Sequence, residues 1–249
     1  MDKLDFSAIA HEGLALMNPL PEDEVDEMIE ALELESGARV LDLGCGKAEV
    51  LIRIAERYPD VSGAGLDKSP PILAEARRAA AERVPEAHLV LLEEDVVEHA
   101  PEPASFDLVV SMGGVAFRGG VGGTLAVLAG FVASGGKLLF GEGYWRREPD
   151  AEYLVALGAA RDELKDYAET IEAAEDVGLR LLRAVTSSVE DWDLYEDTWA
   201  ANGERYVAAH KGEPDVDELE AWITEGRDRY RRRGGRDTLG FGLFLFERL

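Results

Sequence analysis

The chain has almost no cysteine. Cys45 is the single one in 249 residues, so no intramolecular disulfide can form and an oxidising compartment has left no mark. No apolar run approaches the roughly 20 residues that cross a bilayer. The start, MDKLDFSAIAHEG, lacks the charged segment followed by an apolar stretch that secretion requires, so a cytoplasmic location is expected. Basic residues are scarce too: 26 Lys and Arg stand against 51 Asp and Glu, a formal net charge of −25. Such a field repels phosphate backbones and anionic lipid, which sets nucleic-acid and membrane partners aside. The histidines, His11, His88, His99 and His210, are scattered and with one thiol offer no zinc spacing, so no metal is expected. Internal repeats, low-complexity tracts and linkers are also missing.

What remains is ordinary globular composition, 46% hydrophobic and 31% charged. Val25, Met28, Ile29 and Leu32 recur at helical spacing within residues 21–35, with acids on the other face. Short apolar runs at 38–43, 61–66, 88–92, 106–111 and 137–141 then alternate with helical patterns at 50–58, 71–83 and 125–132. This alternation argues for a parallel sheet covered on both faces. Beyond Gly143 the pattern turns helical at 151–157 and 167–177. An apolar stretch at 179–185, polar helices at 189–210 and 216–233, and a possible closing strand at 238–246 follow. The simplest organisation is one domain, 1–249. It comprises an N-terminal helical cap (1–37), a cofactor-binding core (38–143), and substrate-side helices with closing strands (144–249).

The most informative segment is VLDLGCGKAEVL, residues 40–51, a strand running through Gly44 and Gly46 into a helix. Glycines let the backbone bend sharply and approach a ligand, and the helix start presents free N–H groups. A tight turn without a ligand would use the same residues. The dinucleotide fingerprint needs a third glycine where this chain has Glu49, which disfavours NAD. Asp42 precedes the turn, and Asp67 closes the next strand, where an acid accepts ribose hydroxyls. A ribose ligand without pyrophosphate fits these residues.

Together, VLDLGCG, GLDKSP, LLEEDV, FDLVVSMGG and GGKLLFGE across residues 38–143 resemble the class I methyltransferases that use S-adenosylmethionine. A lower-specificity likeness to a bacterial branch of small methyltransferases with unassigned substrates continues through Asn18-Pro19, GEGYWRREP, DWDLYEDTW and the C-terminal Gly-aromatic-Gly run. The resemblance implies an α/β, three-layer Rossmann-like fold with a mostly parallel seven-stranded sheet, an antiparallel closing strand and helical additions. It places Asp42, Gly44, Cys45 and Gly46 at the methionine end of the cofactor, and Asp67, with Lys68 beside it, at the ribose. Asp95 falls at the adenine amine and Val96 against the ring, with Ser111 and Met112 at the end of the fourth strand. Ala48 stands where the family often has a third glycine.

The activity so implied is methyl transfer from S-adenosylmethionine to a small-molecule acceptor, leaving S-adenosylhomocysteine. A cofactor-binding protein without transferase activity, or an RNA or protein methyltransferase, are the other readings. In-line displacement from a sulfonium depends on positioning, and a base is needed only if the acceptor must lose a proton. The ends of the fourth and fifth strands flank such a cofactor. Glu142 and Tyr144 are therefore the catalytic candidates. Asn18, Gly113, Glu142, Tyr144, Trp145, Arg146, Trp192 and Tyr195 are the candidates for the acceptor site. Trp192, Tyr195 and Trp199 form a helical stripe that suits either a core or a lid. The Arg227–Arg236 cluster reads as a solvated helix end among acids, or as an RNA-binding patch.

Overall fold

A computed structural model describes residues 1, 3–97 and 103–249; His99 lies outside the described residues. The strands are β1 (Arg39–Leu43), β2 (Ser62–Asp67), β3 (His88–Glu93), β4 (Phe106–Met112), β5 (Val132–Trp145), β6 (Leu179–Thr186) and β7 (Leu239–Arg248). They form one seven-stranded sheet in the order β3-β2-β1-β4-β5-β7-β6. The pairs from β3 through β5 are parallel, while β7 runs antiparallel to both β5 and β6. The helices are α1 (Lys3–Ala10), α2 (Glu22–Glu30), α3 (Glu49–Arg57), α4 (Pro70–Arg83), α5 (Gly120–Phe131), α6 (Ala151–Leu157), α7 (Tyr167–Glu175), α8 (Val189–Ala209), α9 (Val216–Arg231) and α10 (Gly235–Thr238).

Two cores flank the sheet. Alternation along a strand sends Val40 of β1, Leu108 and Val110 of β4, and Leu243 of β7 to one face, where they meet Met28 and Ile29 of α2 and Leu51 and Ile54 of α3. The intervening residues Leu41, Leu43, Val109, Phe140 and Phe244 meet Leu125 and Leu128 of α5 and Ala174 of α7 on the other. A third cluster joins Phe6 and Ala10 of α1 to Trp199 and Val207 of α8 and Leu219 and Ile223 of α9. Local chemistry fixes the helix starts. Asp166 and Glu169 form a reciprocal capping box on α7, and Ser188 and Asp191 do the same on α8.

The largest departure from the sequence pattern is β5. The apolar run predicts a strand ending at Gly141, yet the strand continues to Trp145 because β7 pairs with it from Lys137↔Glu247 to Trp145↔Leu239. Glycines in β7 permit this. The Tyr144 ring lies directly over Gly240, and the Phe244 ring sits where a side chain at Gly242 would fall, 2.7 Å from an added Cβ. Tyr144 and Trp145 are thus sheet residues rather than loop residues.

Candidate active site

The parallel strands β1, β2 and β4 end side by side beneath a cavity of about 260 Å³. Its floor is the turn between β1 and α3. The amides of Gly44 and Cys45 both donate to the Leu66 carbonyl, at 2.9 and 3.0 Å, locking the turn onto β2. Gly44 has φ +71° and Gly46 +53°. A Cβ at Gly44 would stand 2.8 Å from Val115 Cγ2, and one at Gly46 would stand 3.0 Å from Met17 Sδ. Both glycines are required by backbone conformation and by close approach. Ala48 takes a left-handed conformation at the N-cap of α3 without a glycine.

Two carboxylates face this floor. Asp67 Oδ2 accepts from the Gly46 amide and Oδ1 from the Ser69 amide, each at 2.9 Å. A carboxylate has about four acceptor sites, so lone pairs remain for a ligand. Asp42 is 2% exposed. Burial, reinforced by the charge of Asp67, pushes its carboxyl up to about 8. A cation entering the cavity favours the ionised form of Asp42. Burial and the same two acids push the Cys45 thiol up as well, which makes it a poor nucleophile.

The roof comes from distant parts of the chain. Ser7, His11, Met17 and Asn18 descend from the N-terminal segment, and Tyr195 from α8. The Tyr195 hydroxyl lies 2.8 Å from His11 Nε2, and His11 Nδ1 lies 2.8 Å from the Ser7 carbonyl. Lys47 ties floor to roof: its ammonium donates to the His11 carbonyl at 2.8 Å and pairs with Glu75 at 3.0 Å. Asn202 of α8 donates to the carbonyls of Ala10 and Glu12, at 3.0 and 2.7 Å. Asn18 Oδ1 accepts from the Leu20 amide at 3.1 Å, shaping the turn into α2.

Of the candidate residues, the structure brings Asp42, Gly44, Cys45, Gly46, Asp67, Met112, Gly113, Asn18 and Tyr195 to the cavity wall. The others lie elsewhere. Lys68 is exposed. Asp95 is exposed beyond β3, its Oδ1 accepting from the Val97 amide, and Val96 is buried in the α5-side core. Strand alternation turns Ser111 away from Met112, and its hydroxyl is buried without a hydrogen-bond partner among the described residues. Glu142 accepts from its neighbouring Gly143 amide, and burial pushes its carboxyl up to about 7. Tyr144 packs edge-on against Tyr167. Trp145 is 2% exposed, meets Tyr153 edge-on and donates from Nε1 to the Arg161 carbonyl at 2.9 Å. Arg146 reaches the Arg236 carbonyl. Trp192 stacks on Tyr230 within the α2–α3 side core.

Tyr144, Trp145 and Trp192, expected to share one acceptor pocket, do not line this cavity; Trp192 stands behind its wall, edge-on to Tyr195 with ring centroids 6.1 Å apart. The extra strand length beyond Gly141 carries Tyr144 and Trp145 away from the cavity. Ser7, His11, Met17, Lys47, Glu49 and Gly114 are wall residues that the sequence patterns did not single out. Their only signal was proximity to Asn18-Pro19, to the glycine turn or, for Gly114, to Gly113 at the end of the fourth strand. The arginine cluster is neutralised locally: Arg231 pairs with Asp193 and Asp197, Arg236 with Asp193, Arg232 and Arg233 with Asp228, and Arg227 with Glu204.

Comparison with known proteins agrees with this geometry. Residues 40–136 match the family described as a methyltransferase domain. The uncharacterized protein YjhP of Escherichia coli is 27% identical over 246 residues, 98% of each chain. A crystal structure of an S-adenosylmethionine-dependent methyltransferase from Geobacter sulfurreducens, in complex with S-adenosyl-L-homocysteine, superposes with a TM-score of 0.87. It is 26% identical, and the match covers 100% of this chain and 99% of that one. The corresponding Thiobacillus denitrificans complex gives a TM-score of 0.84 at 27% identity, covering 97% of each chain. The domain match and the full-length likeness to two S-adenosylhomocysteine complexes support an S-adenosylmethionine-dependent methyltransferase.

Proposed function

We propose that the cavity over the β1–α3 turn holds S-adenosylmethionine and that the protein transfers its methyl group to a small molecule admitted beneath the roof. The observation that carries this reading is the juxtaposition of a side-chain-free glycine cradle with two acids, one neutralised by burial and one half-satisfied by backbone amides. A ligand bearing cations and a ribose suits such a site. Asp42 and the Gly44–Gly46 backbone would hold the methionine end, and Asp67 would take the ribose hydroxyls. Asp95, exposed beyond the neighbouring strand β3, would meet the adenine amine. When bound, the cofactor supplies a methyl group on a positively charged sulfur.

The protein's own contribution is placement and exclusion of water. The roof residues and Met112 narrow the space above the floor, which would align an acceptor there and limit its contact with water. Asp42 balances the charge of a bound cation. No helix among the described residues is long and apolar enough to cross a membrane. The acidic surface supports a small acceptor over nucleic acid. Isothermal titration with S-adenosylhomocysteine tests the reading: the wild-type chain binds it, and Asp67→Ala weakens binding at least tenfold. Absence of binding to the wild-type chain would remove the proposal.

A further inference from the structure

We propose that His11 and Tyr195 form a proton-accepting pair, and that the acceptor reaches the cavity as a neutral O–H or N–H compound. The inference rests on the reading of the cavity as the methyl-transfer site and specifies the acceptor's chemistry.

Geometry fixes the proton positions. A carbonyl oxygen only accepts, so His11 Nδ1, 2.8 Å from the Ser7 carbonyl, carries the ring hydrogen. Nε2 is then a bare acceptor 2.8 Å from the Tyr195 hydroxyl, whose single hydrogen takes this shorter contact over the Met17 carbonyl at 3.3 Å. Both side chains line the cavity, and Tyr195 Oη keeps lone pairs with which to receive a proton. The His11 backbone is held in place from outside by Lys47 and Asn202. Burial lowers the imidazole to about 4, which keeps the ring neutral at neutral pH but makes it a weak base, so its protonation has to be driven by the loss of the sulfonium charge beside it.

The charged and titratable groups around the pair are Lys47 from the glycine turn, Asp42 on β1, Asp67 on β2, Glu49 at the start of α3, and Glu196 beside Tyr195. As the bond from acceptor to methyl forms, the S–CH3 bond breaks and its electron pair stays on sulfur. The acceptor's proton passes to Tyr195 Oη, and the original Tyr195 proton passes to His11 Nε2. The imidazolium keeps its Nδ1–H on the Ser7 carbonyl until it loses a proton to water. One positive charge disappears from sulfur as one appears on the ring, so the net charge of the cavity is unchanged. A carboxylate or a tertiary amine arrives without a proton to give, and a carboxylate would also face Asp67. The pair is of use only to an acceptor that still bears its hydrogen.

The test uses the full chain with Tyr195→Phe and His11→Gln. Far-UV circular dichroism and melting curves should show that both variants fold, and titration should show each binding S-adenosylhomocysteine more tightly than Asp67→Ala does. Methyl-labelled S-adenosylmethionine is then incubated with a protein-free bacterial metabolite extract. Label incorporation should fall by about 100-fold or more at pH 7, the lower range for general-base catalysis. The deficit should shrink as pH rises toward 9, because the acceptor then ionises unaided, and the labelled product should carry its methyl on an oxygen or nitrogen that bore hydrogen. The proposal is overturned if Tyr195→Phe weakens S-adenosylhomocysteine as much as Asp67→Ala does. It is also overturned if the variants transfer label at the wild-type rate, if the deficit does not change with pH, or if the product is a methyl ester or quaternary ammonium. A wild-type chain that labels nothing removes the methyl-transfer reading and the pair with it; unaffected variants remove the pair alone.

Discussion

Strands β4 and β5 present polar and aromatic residues on both faces near the cavity, and the two faces use them differently. On the α2–α3 side, Met112 and the Asp42 carboxyl of neighbouring β1 border open space beneath a roof. On the α5–α7 side, Ser111, Glu142 and Tyr144 are closed in, Tyr144 by Tyr167 and Tyr167 in turn by Phe244. Ser111 and Met112 are adjacent in sequence but on opposite faces. Being at the end of the right strand does not make a residue part of the site; the phase of the pleat decides, because successive side chains alternate.

The largest effect comes from truncating a buried side chain that shares the phase of Met112 but lies beyond the cavity, at the end of β5. Trp145→Ala should cost about 3–5 kcal/mol of stability, the usual range for a buried Trp, with S-adenosylhomocysteine affinity nearly unchanged in the folded fraction. Denaturant melts and titration together check this. Loss of binding without loss of stability would make Trp145 part of the cavity. Gly44→Val acts on both counts. The left-handed backbone costs about 1–2 kcal/mol, and the clash with Val115 about 1–3 more, so the melting temperature and cofactor affinity should fall together.

Next in size, Asp67→Ala should weaken cofactor binding by about 1.5–3 kcal/mol for each charged hydrogen bond lost. It should also lower stability, because its oxygens hold the Gly46 and Ser69 amides. Melting curves of the ligand-free variant measure that second effect. A subtler distinction comes from pH. Asp42 is raised to about 8 from an ordinary value of 3.8, so the folded chain keeps a proton that the unfolded chain releases. The stability linked to Asp42 therefore falls as pH rises from 3.8 through 8. Glu142, raised to about 7, acts in the same sense, whereas His11, lowered from 6.5 to about 4, acts oppositely between those values. Asp42→Asn should flatten the decline in melting temperature above pH 6.5, and cofactor binding near neutral pH should release a proton in the wild-type chain only. The smallest effect belongs to the surface: Arg231→Ala should change stability by at most about 1 kcal/mol and leave binding alone.

The strand and helix pattern was legible because each buried strand is a short apolar run between helical periods. The cavity floor was legible because its residues are contiguous: Asp42 through Gly46 form one turn, and Asp67 closes the next strand. The roof was legible only in part: Asn18 and Tyr195 fall in the Asn-Pro and DWDLYEDTW segments, but His11, 184 positions from Tyr195, lies in neither. The phase of β4 was also hidden. FDLVVSM is apolar toward both faces, as strands covered on both sides are, so nothing in it says whether Ser111 or Met112 faces the ligand. The continuation of β5 was masked by the glycines of GEGYW, which read as a loop until β7 supplies a partner.

A crystal structure of the chain with S-adenosylhomocysteine tests the central claim most directly. The account predicts the ribose hydroxyls on Asp67, the homocysteine end over Gly44–Gly46, and the sulfur directed toward the space beneath His11 and Tyr195. Ligand on the Glu142–Tyr144 side of the sheet, or a sulfur turned away from the roof, would contradict it.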